Sequence, residues 1–199
     1  VSESVRSMGG ILVNAEGKRF CNDLATRDAV SNAELEQPGA YAYIIFDQRI
    51  VDDLKSCQKY IQNGLTVSAD SYEELAKAMG LEGDAIQNFV DTMGTWNASV
   101  AAGEDQEFGR SNGMDADLST APYYAIKIAP GIHHTMGGLK INTDAQVLDT
   151  QGNVIPGLYA AGETTGGVHG GNRIGGNAVC DFVVFGRIAG NNASAYAAN

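Results

Sequence analysis

The stretch Gly157–Gly190, GLYAAGETTGGVHGGNRIGGNAVCDFVVFGRIAG, decides how this chain is to be read. It starts as a β-type run of small residues and passes through seven glycines between Gly162 and Gly176. It then enters an apolar, Ala-rich segment that predicts an amphipathic helix over 177–198. Glycine gives up packing surface and conformational order, so it gathers where backbone takes positive φ or approaches something closely. Strand, glycine loop and helix, in that order, are how a Rossmann-like fold brings a helix N-terminus to a cofactor. The amides of such a terminus carry partial positive charge and stabilise a negative ring or phosphate. The candidate cofactor contacts are therefore Gly162 and Glu163 at the strand tip, His169 and Asn172 in the loop, and Gly176, Asn177, Ala178 and Val179 where the helix opens. A carboxylate at the tip suits sugar-type hydroxyls, and a solvated loop glutamate fits the same pattern equally well.

Composition narrows the partners. The chain of 199 residues carries 24 acidic and 13 basic residues, a net charge of −11, which argues against nucleic acid and anionic membrane surfaces. A bound anion would need local arginines. The three cysteines, Cys21, Cys57 and Cys180, have no CxxC spacing and read as buried free thiols. No run approaches the roughly 18 apolar residues of a membrane span, and no metal-ligand cluster or nucleophilic triad is visible. The chain opens on VSESVRS, with neither an initiator methionine nor a signal segment, which fits a piece of something longer.

The remainder alternates strand and helix signals. Ile11–Val13 followed by Asn14-Ala15-Glu16-Gly17 and Arg19-Phe20 predicts a hairpin. TRDAVSNAELEQ has helix-forming composition and is closed by Pro38-Gly39, and Ala40–Asp47 is a buried strand. From there to about Gly103 the period is helical: Ser71-Tyr72-Glu73-Glu74 is a capping box, and Ile86, Phe89, Val90, Met93 and Val100 share one face. Trp96 belongs to the core beside that stripe. AAGEDQEFGRSNGMDADLS reads as a polar surface loop. After Pro122, YYAIKIA, GGLKINTDAQVLD and NVIPGLYAAG are short strands.

With these motifs in place, Gly157–Gly190, the upstream PGIHHTMGGLKI and the opening SESVRSMGGILVNAEGKRFCNDLATRDAVS together resemble the soluble fumarate reductases of the flavocytochrome c type. That superfamily includes succinate dehydrogenase flavoproteins, aspartate oxidase and urocanate reductase. The resemblance spans nearly the whole chain and is weakest between about residues 50 and 105. It implies an α+β / α/β architecture: residues 1–130 as part of a capping (clamp) domain and 131–199 as the returning C-terminal segment of a Rossmann-like FAD-binding domain. It implies non-covalent FAD, an unsaturated dicarboxylate as substrate, and a haem or flavin electron donor outside this chain. It also favours the bacterial periplasm. Urocanate or another unsaturated acid is the alternative substrate, and a non-catalytic carboxylate-binding domain the alternative class.

Carried over position by position, the resemblance makes Arg27 of the TRD motif the proton donor. A guanidinium pKa exceeds about 12, so such an acid works only with rapid reprotonation, and Glu3 and Arg6 match the family's relay. On a helix these two share a face. His133 matches the substrate-binding histidine, with His134 a neighbouring alternative, and Arg173 the carboxylate-binding arginine. Thr135 orients the carboxylate, and His169 lies against the flavin or bonds locally. A guanidinium grips a carboxylate with parallel donors, to which imidazole adds another. The strand and GxGxxG turn that hold the ADP half of FAD do not occur in these residues, nor does the family's second substrate histidine. The expectation is that these residues alone bind FAD poorly and do not turn over.

Overall fold

Why Ile11–Val13 does not form the predicted hairpin explains how the first half of the chain is built. In the computed structural model, which describes Val1 and residues 3–198, the turn at Asn14 is present. The Gly17 amide donates to the Asn14 carbonyl at 3.1 Å, and Asn14 Oδ1 accepts from the Glu16 and Lys18 amides at 3.0 Å each. The return arm is no strand, however, because Arg19 turns inward to buried carboxylates instead of continuing a ladder. Ile11–Val13 pairs with a distant partner.

The chain divides into two compact units, Val1–Pro130 and Gly131–Asn199. In the first, elements follow in the order α1 (Ser4–Ser7), β1 (Ile11–Val13), α2 (Arg27–Leu35), β2 (Ala42–Asp47), α3 (Gln48–Asp53) and α4 (Lys55–Gln62). β3 (Val67–Ala69), α5 (Tyr72–Ala78), α6 (Asp84–Ala102) and β4 (Tyr123–Ile128) complete it. Its sheet has the order β1-β2-β4-β3 and every pairing is antiparallel. The central strand β2 is buried at every position, as a run of aromatic and branched residues with no polar alternation requires. The predicted capping box holds: Ser71 Oγ accepts the Glu74 amide at 3.2 Å and starts α5. α6 puts Phe89, Met93 and Trp96 into the core, as the helical stripe anticipates. The short edge strand β3 was hidden between helices, where its three residues carry too little pattern to register.

The turn glycine Gly17 sits where α6 crosses it. Its φ is +78°, and a Cβ there would lie 2.2 Å from the Ala85 carbonyl oxygen, so both backbone conformation and space require glycine.

One expectation holds only in part. The segment following α6 is an irregular and mostly exposed loop, but Asp105 and Arg110 within it are buried, at 4% and 2% exposure. Their charges pay for burial by pairing with Arg19 and Asp23, which lie far off in sequence and whose approach no local pattern announces.

The second unit comprises β5 (Leu139–Lys140), β6 (Gln146–Leu148), β7 (Val154–Tyr159), a 3₁₀ turn at Gly162–Thr164, β8 (Thr165–Gly166) and α7 (Asn177–Ala197). β6 and β7 form an antiparallel hairpin, while β5 pairs with β8 in parallel. Asp149 Oδ1 shapes the hairpin turn by accepting the Gln151 and Asn153 amides at 2.9 and 2.8 Å. The strand, glycine loop and helix order read from the sequence is present. This unit buries little apolar surface of its own: Val179, Phe182, Val183 and Val184 of α7 and Ile155 and Leu158 of β7 are exposed. The thiols divide: Cys57 is buried as expected, Cys21 is half-buried and Cys180 is exposed. Burial pushes the Cys57 thiol up to about 11. Burial, reinforced by the nearby Asp23 charge, pushes Cys21 up to about 12, leaving neither a nucleophile at neutral pH.

Candidate active site

In the first unit, the TRD motif opens α2, with Thr26 as its N-cap and Arg27 as its first helical residue. The Thr26 hydroxyl and the amides of Asp28 and Ala29 hold the Asp28 carboxyl below its usual range, an anion at the positive end of the helix. Arg27 Nη2 lies 3.1 Å from Glu3 Oε2, so two residues separated by 24 positions meet. Both side chains are substantially exposed, at 39% and 45%, and a pair this open contributes little to stability. Arg6, on the short helix α1, aims its Nη1 at the Asp23 carbonyl at 2.7 Å. Helical spacing thus sets Glu3 and Arg6 one turn apart, but Arg6 is held by backbone.

That backbone is fixed by a buried charge cluster the sequence reading missed. Asp23 Oδ1 accepts the Leu12 amide at 2.6 Å, while its Oδ2 lies 2.8 Å from Arg19 Nη2 and 3.3 Å from Arg110 Nη1. Asp105 takes Arg19 through both oxygens, at 3.0 and 2.9 Å. Trp96 has the Arg19 and Arg110 guanidinium carbons at 4.7 and 4.6 Å from its ring, so both cations face an aromatic ring in a dry core. Arg110 also donates to the carbonyls of Arg6 at 2.6 Å, Gly10 at 2.8 Å and Gly113 at 2.8 Å. It ties the end of α1 to a loop about a hundred residues later.

Burial alone would push the Asp105 carboxyl up, but the Arg19 hydrogen bond and the Arg110 amide outweigh it and hold it below 3.8. A carboxylate with a depressed folded-state pKa stabilises the fold above its ordinary value and loses that contribution as pH falls. Unit Val1–Pro130 is therefore expected to weaken as pH drops through 3.8 and below. Asp105→Asn should flatten that acid limb, as urea midpoints on either side of that value would register. An unchanged acid limb in the variant would locate the sensitivity elsewhere.

In the second unit, the residues before β5 meet the tip of β7. The Thr135 amide donates to Glu163 Oε1 at 3.0 Å, and His134 Nδ1 lies 3.8 Å from Glu163 Oε2. The Thr135 amide bond comes first in holding the exposed Glu163 carboxyl below its usual range, with the neighbouring His134 and His133 acting the same way. Its carboxylate is thus occupied within the chain. The two histidines diverge, as neighbours in extended backbone must: His133 is exposed, while the His134 side chain is 8% exposed and meets the His169 ring edge-on at 5.6 Å. His169 Nε2 in turn lies 3.0 Å from Asp181 Oδ2, which is the local bond allowed for it. Arg173 is buried, at 6% exposure, and donates to the Ile174 carbonyl at 3.3 Å. Asp181, the single acid in the run CDFVVFG, was the available signal for this cluster.

The helix start is open. Gly176, at φ +88°, is the N-cap of a 21-residue helix, offers no side-chain cap, and no acid lies in the first turn. A Cβ on Gly167, Gly170, Gly171 or Gly176 would meet nothing within 4 Å. Asn172, Asn177 and Val179 are exposed and Ala178 half-exposed. Gly162, with φ +76°, closes the 3₁₀ turn through the Thr165 hydroxyl, which donates to its carbonyl at 2.8 Å. The Asn177 and Val179 amides close local turns onto the Ile174 and Gly176 carbonyls at 3.3 and 3.0 Å, and the positive end of a long helix, reached through bare glycine backbone, fits an anionic flavin edge or phosphate. Among the described residues, no group of histidine, cysteine and carboxylate side chains could hold a metal ion, and no helix is long and apolar enough to cross a membrane.

A glycine loop running into the start of a long helix is an arrangement found in flavin- and dinucleotide-binding proteins. Residues 1–179 match the FAD binding domain family, and the chain belongs to it. A fumarate reductase (cytochrome) of Shewanella frigidimarina is 48% identical over 196 residues, which are 98% of this chain and 34% of that protein. A urocanate reductase of Eggerthella lenta is more distant, at 38% over 194 residues, 94% of this chain and 31% of the relative. Among solved structures, the open conformation of a flavocytochrome c3 fumarate reductase matches with a TM-score of 0.79 and 49% identity. It covers 100% of this chain and 35% of that one. The chain thus spans about a third of the length of these three proteins, with the mixed α/β fold of the flavocytochrome c3 enzyme.

Proposed function

We propose that this chain is the part of an FAD-dependent fumarate reductase that donates the substrate proton and holds the substrate carboxylate. Residues 1–130 act as a portion of the capping domain and 131–199 as the returning segment of the FAD-binding domain. The observation that carries the reading is the Arg27–Glu3 pair, because it sets a guanidinium donor against a carboxyl group that can reload it. When bound, FAD supplies a hydride from N5 to one alkene carbon. Arg27 gives a proton to the other carbon and recovers it from Glu3, with Arg6 as the next group outward. Arg173 and His133 grip one carboxylate, and Thr135 orients it, so that charge developing on that end in the transition state meets fixed donors. The helix start at Gly176, Asn177, Ala178 and Val179 would face the flavin edge where negative charge accumulates on reduction, its partial positive charge favouring the reduced ring. Gly162, Glu163, His169 and Asn172 shape the loop around it.

The electron donor in this reading is a haem or flavin domain outside these residues, and the compartment is the bacterial periplasm. Fumarate is preferred to urocanate because the cytochrome-type fumarate reductase is the more similar relative. The test is the full-length protein, supplied with a reduced viologen dye and either fumarate or urocanate. Rapid dye oxidation with fumarate is expected. Turnover of urocanate alone would move the assignment within the class, and turnover of neither would overturn it.

A further inference from the structure

The residues between Gly131 and Gly138 form neither helix nor strand, so side chains must fix where His133 and Thr135 stand. Glu163 provides one anchor through the Thr135 amide. The other is a chain of three groups. The His134 ring rests edge-on against His169, with the planes at 74°, and His169 Nε2 meets Asp181 Oδ2 at 3.0 Å. The Asp181 side chain is 2% exposed and that of His169 12%. Asp181 Oδ1 and His134 Nε2 are buried with no hydrogen-bond partner among the described residues. A carboxylate withdrawn from water for a single imidazole contact costs stability, and an apolar residue would fill the same helical position more cheaply. The contact between His169 Nε2 and Asp181 Oδ2 fixes the tilt of the ring. The ring so fixed is the surface that His134 leans on.

We propose that Asp181 is a positioning residue that acts through His169 on His134 and so holds the backbone presenting His133 and Thr135. The pair orients one ring against another and takes no part in proton transfer to substrate. The proposal rests on the reading of His133 and Thr135 as substrate ligands. Asp181→Ala in the full-length protein should raise the fumarate KM about tenfold, more than it lowers kcat, because ground-state grip loosens when a ligand is misplaced. Asp181→Asn, which retains an acceptor oxygen, should restore most of the loss. In ¹⁵N-histidine spectra, the signals of His134 and His133 should move in the alanine variant and return in the asparagine one. Signals of both residues that stay at their wild-type positions in Asp181→Ala would overturn the proposal. So would moved signals with an unchanged KM, since the pair would then orient only itself. If the wild-type protein reduces no fumarate, the functional reading fails by itself, and the histidine signals still decide the positioning.

Discussion

Asp23→Ala is expected to destabilise Val1–Pro130 by about 3–5 kcal/mol, the usual cost of removing one partner from a buried ion pair. The side chain is wholly buried, accepts the Leu12 amide, and faces two guanidinium groups that are themselves 0–1% exposed. Its removal leaves Arg110 with carbonyl partners and no facing anion among its close contacts, and Arg19 with Asp105 and the half-exposed Glu107. The Leu12 amide, in the middle of β1, loses its side-chain acceptor in the same stroke. Urea unfolding followed by Trp96 fluorescence reads this directly, because the single tryptophan lies between the two arginines. A loss below about 1 kcal/mol would mean that water or rearrangement compensates the stranded charges. Asp23→Asn should fall between, since it keeps an acceptor for Leu12 and loses the charge.

Arg27→Ala in the full-length protein should lower fumarate turnover by about 10²–10⁴-fold, the span ordinarily lost with a general acid. The flavin absorbance spectrum should be unaltered, because Arg27 is assigned to the substrate proton and to no cofactor contact. Arg27→Lys is a sharper probe: it keeps positive charge but replaces a planar fork by a point donor, so most of the loss should remain. Glu3→Gln should slow turnover without weakening substrate binding, since it removes the reloading carboxylate and leaves the grip on the substrate intact. Turnover within about threefold of wild type in Arg27→Ala would end its assignment as acid.

How much of this was legible in the sequence depended on the range of the interaction. The α5 capping box, the α6 stripe, the β2 strand and the glycine loop into α7 are written in neighbouring residues, and each appears in the structure. The Arg19 partnerships are different. Arg19 meets Asp105 at a separation of 86 residues, and Asp23 meets Arg110 at 87. The polarity of the segment after α6 suggested water, whereas those charges face one another in the core. The same blindness produced the false hairpin, because Arg19 is drawn inward by residues that no local window contains. Asp181 lay between these extremes, visible as one acid in an apolar helix but without a partner until His169 folded back onto it. Glu163 was read for cofactor hydroxyls, and its carboxylate meets the Thr135 amide instead.

The contact of Arg110 with the Arg6 carbonyl bears on the order of assembly. It closes a loop of 104 residues, and its companion to Gly10 closes one of 100. Contacts so remote in sequence pay their closure entropy before they return any stabilisation, and they slow folding where they dominate. The helix carrying Arg6, with Glu3 as its N-cap, has only four residues and cannot persist alone. The amino-terminal edge of the first unit is therefore expected to assemble late, once the chain from α2 through the loop after α6 has taken shape. A nascent chain or a nicked loop would keep its central helices and strands while lacking the Glu3–Arg27 pair. The Glu3–Arg27 contact becomes, in this sense, a certificate that the whole unit has finished folding.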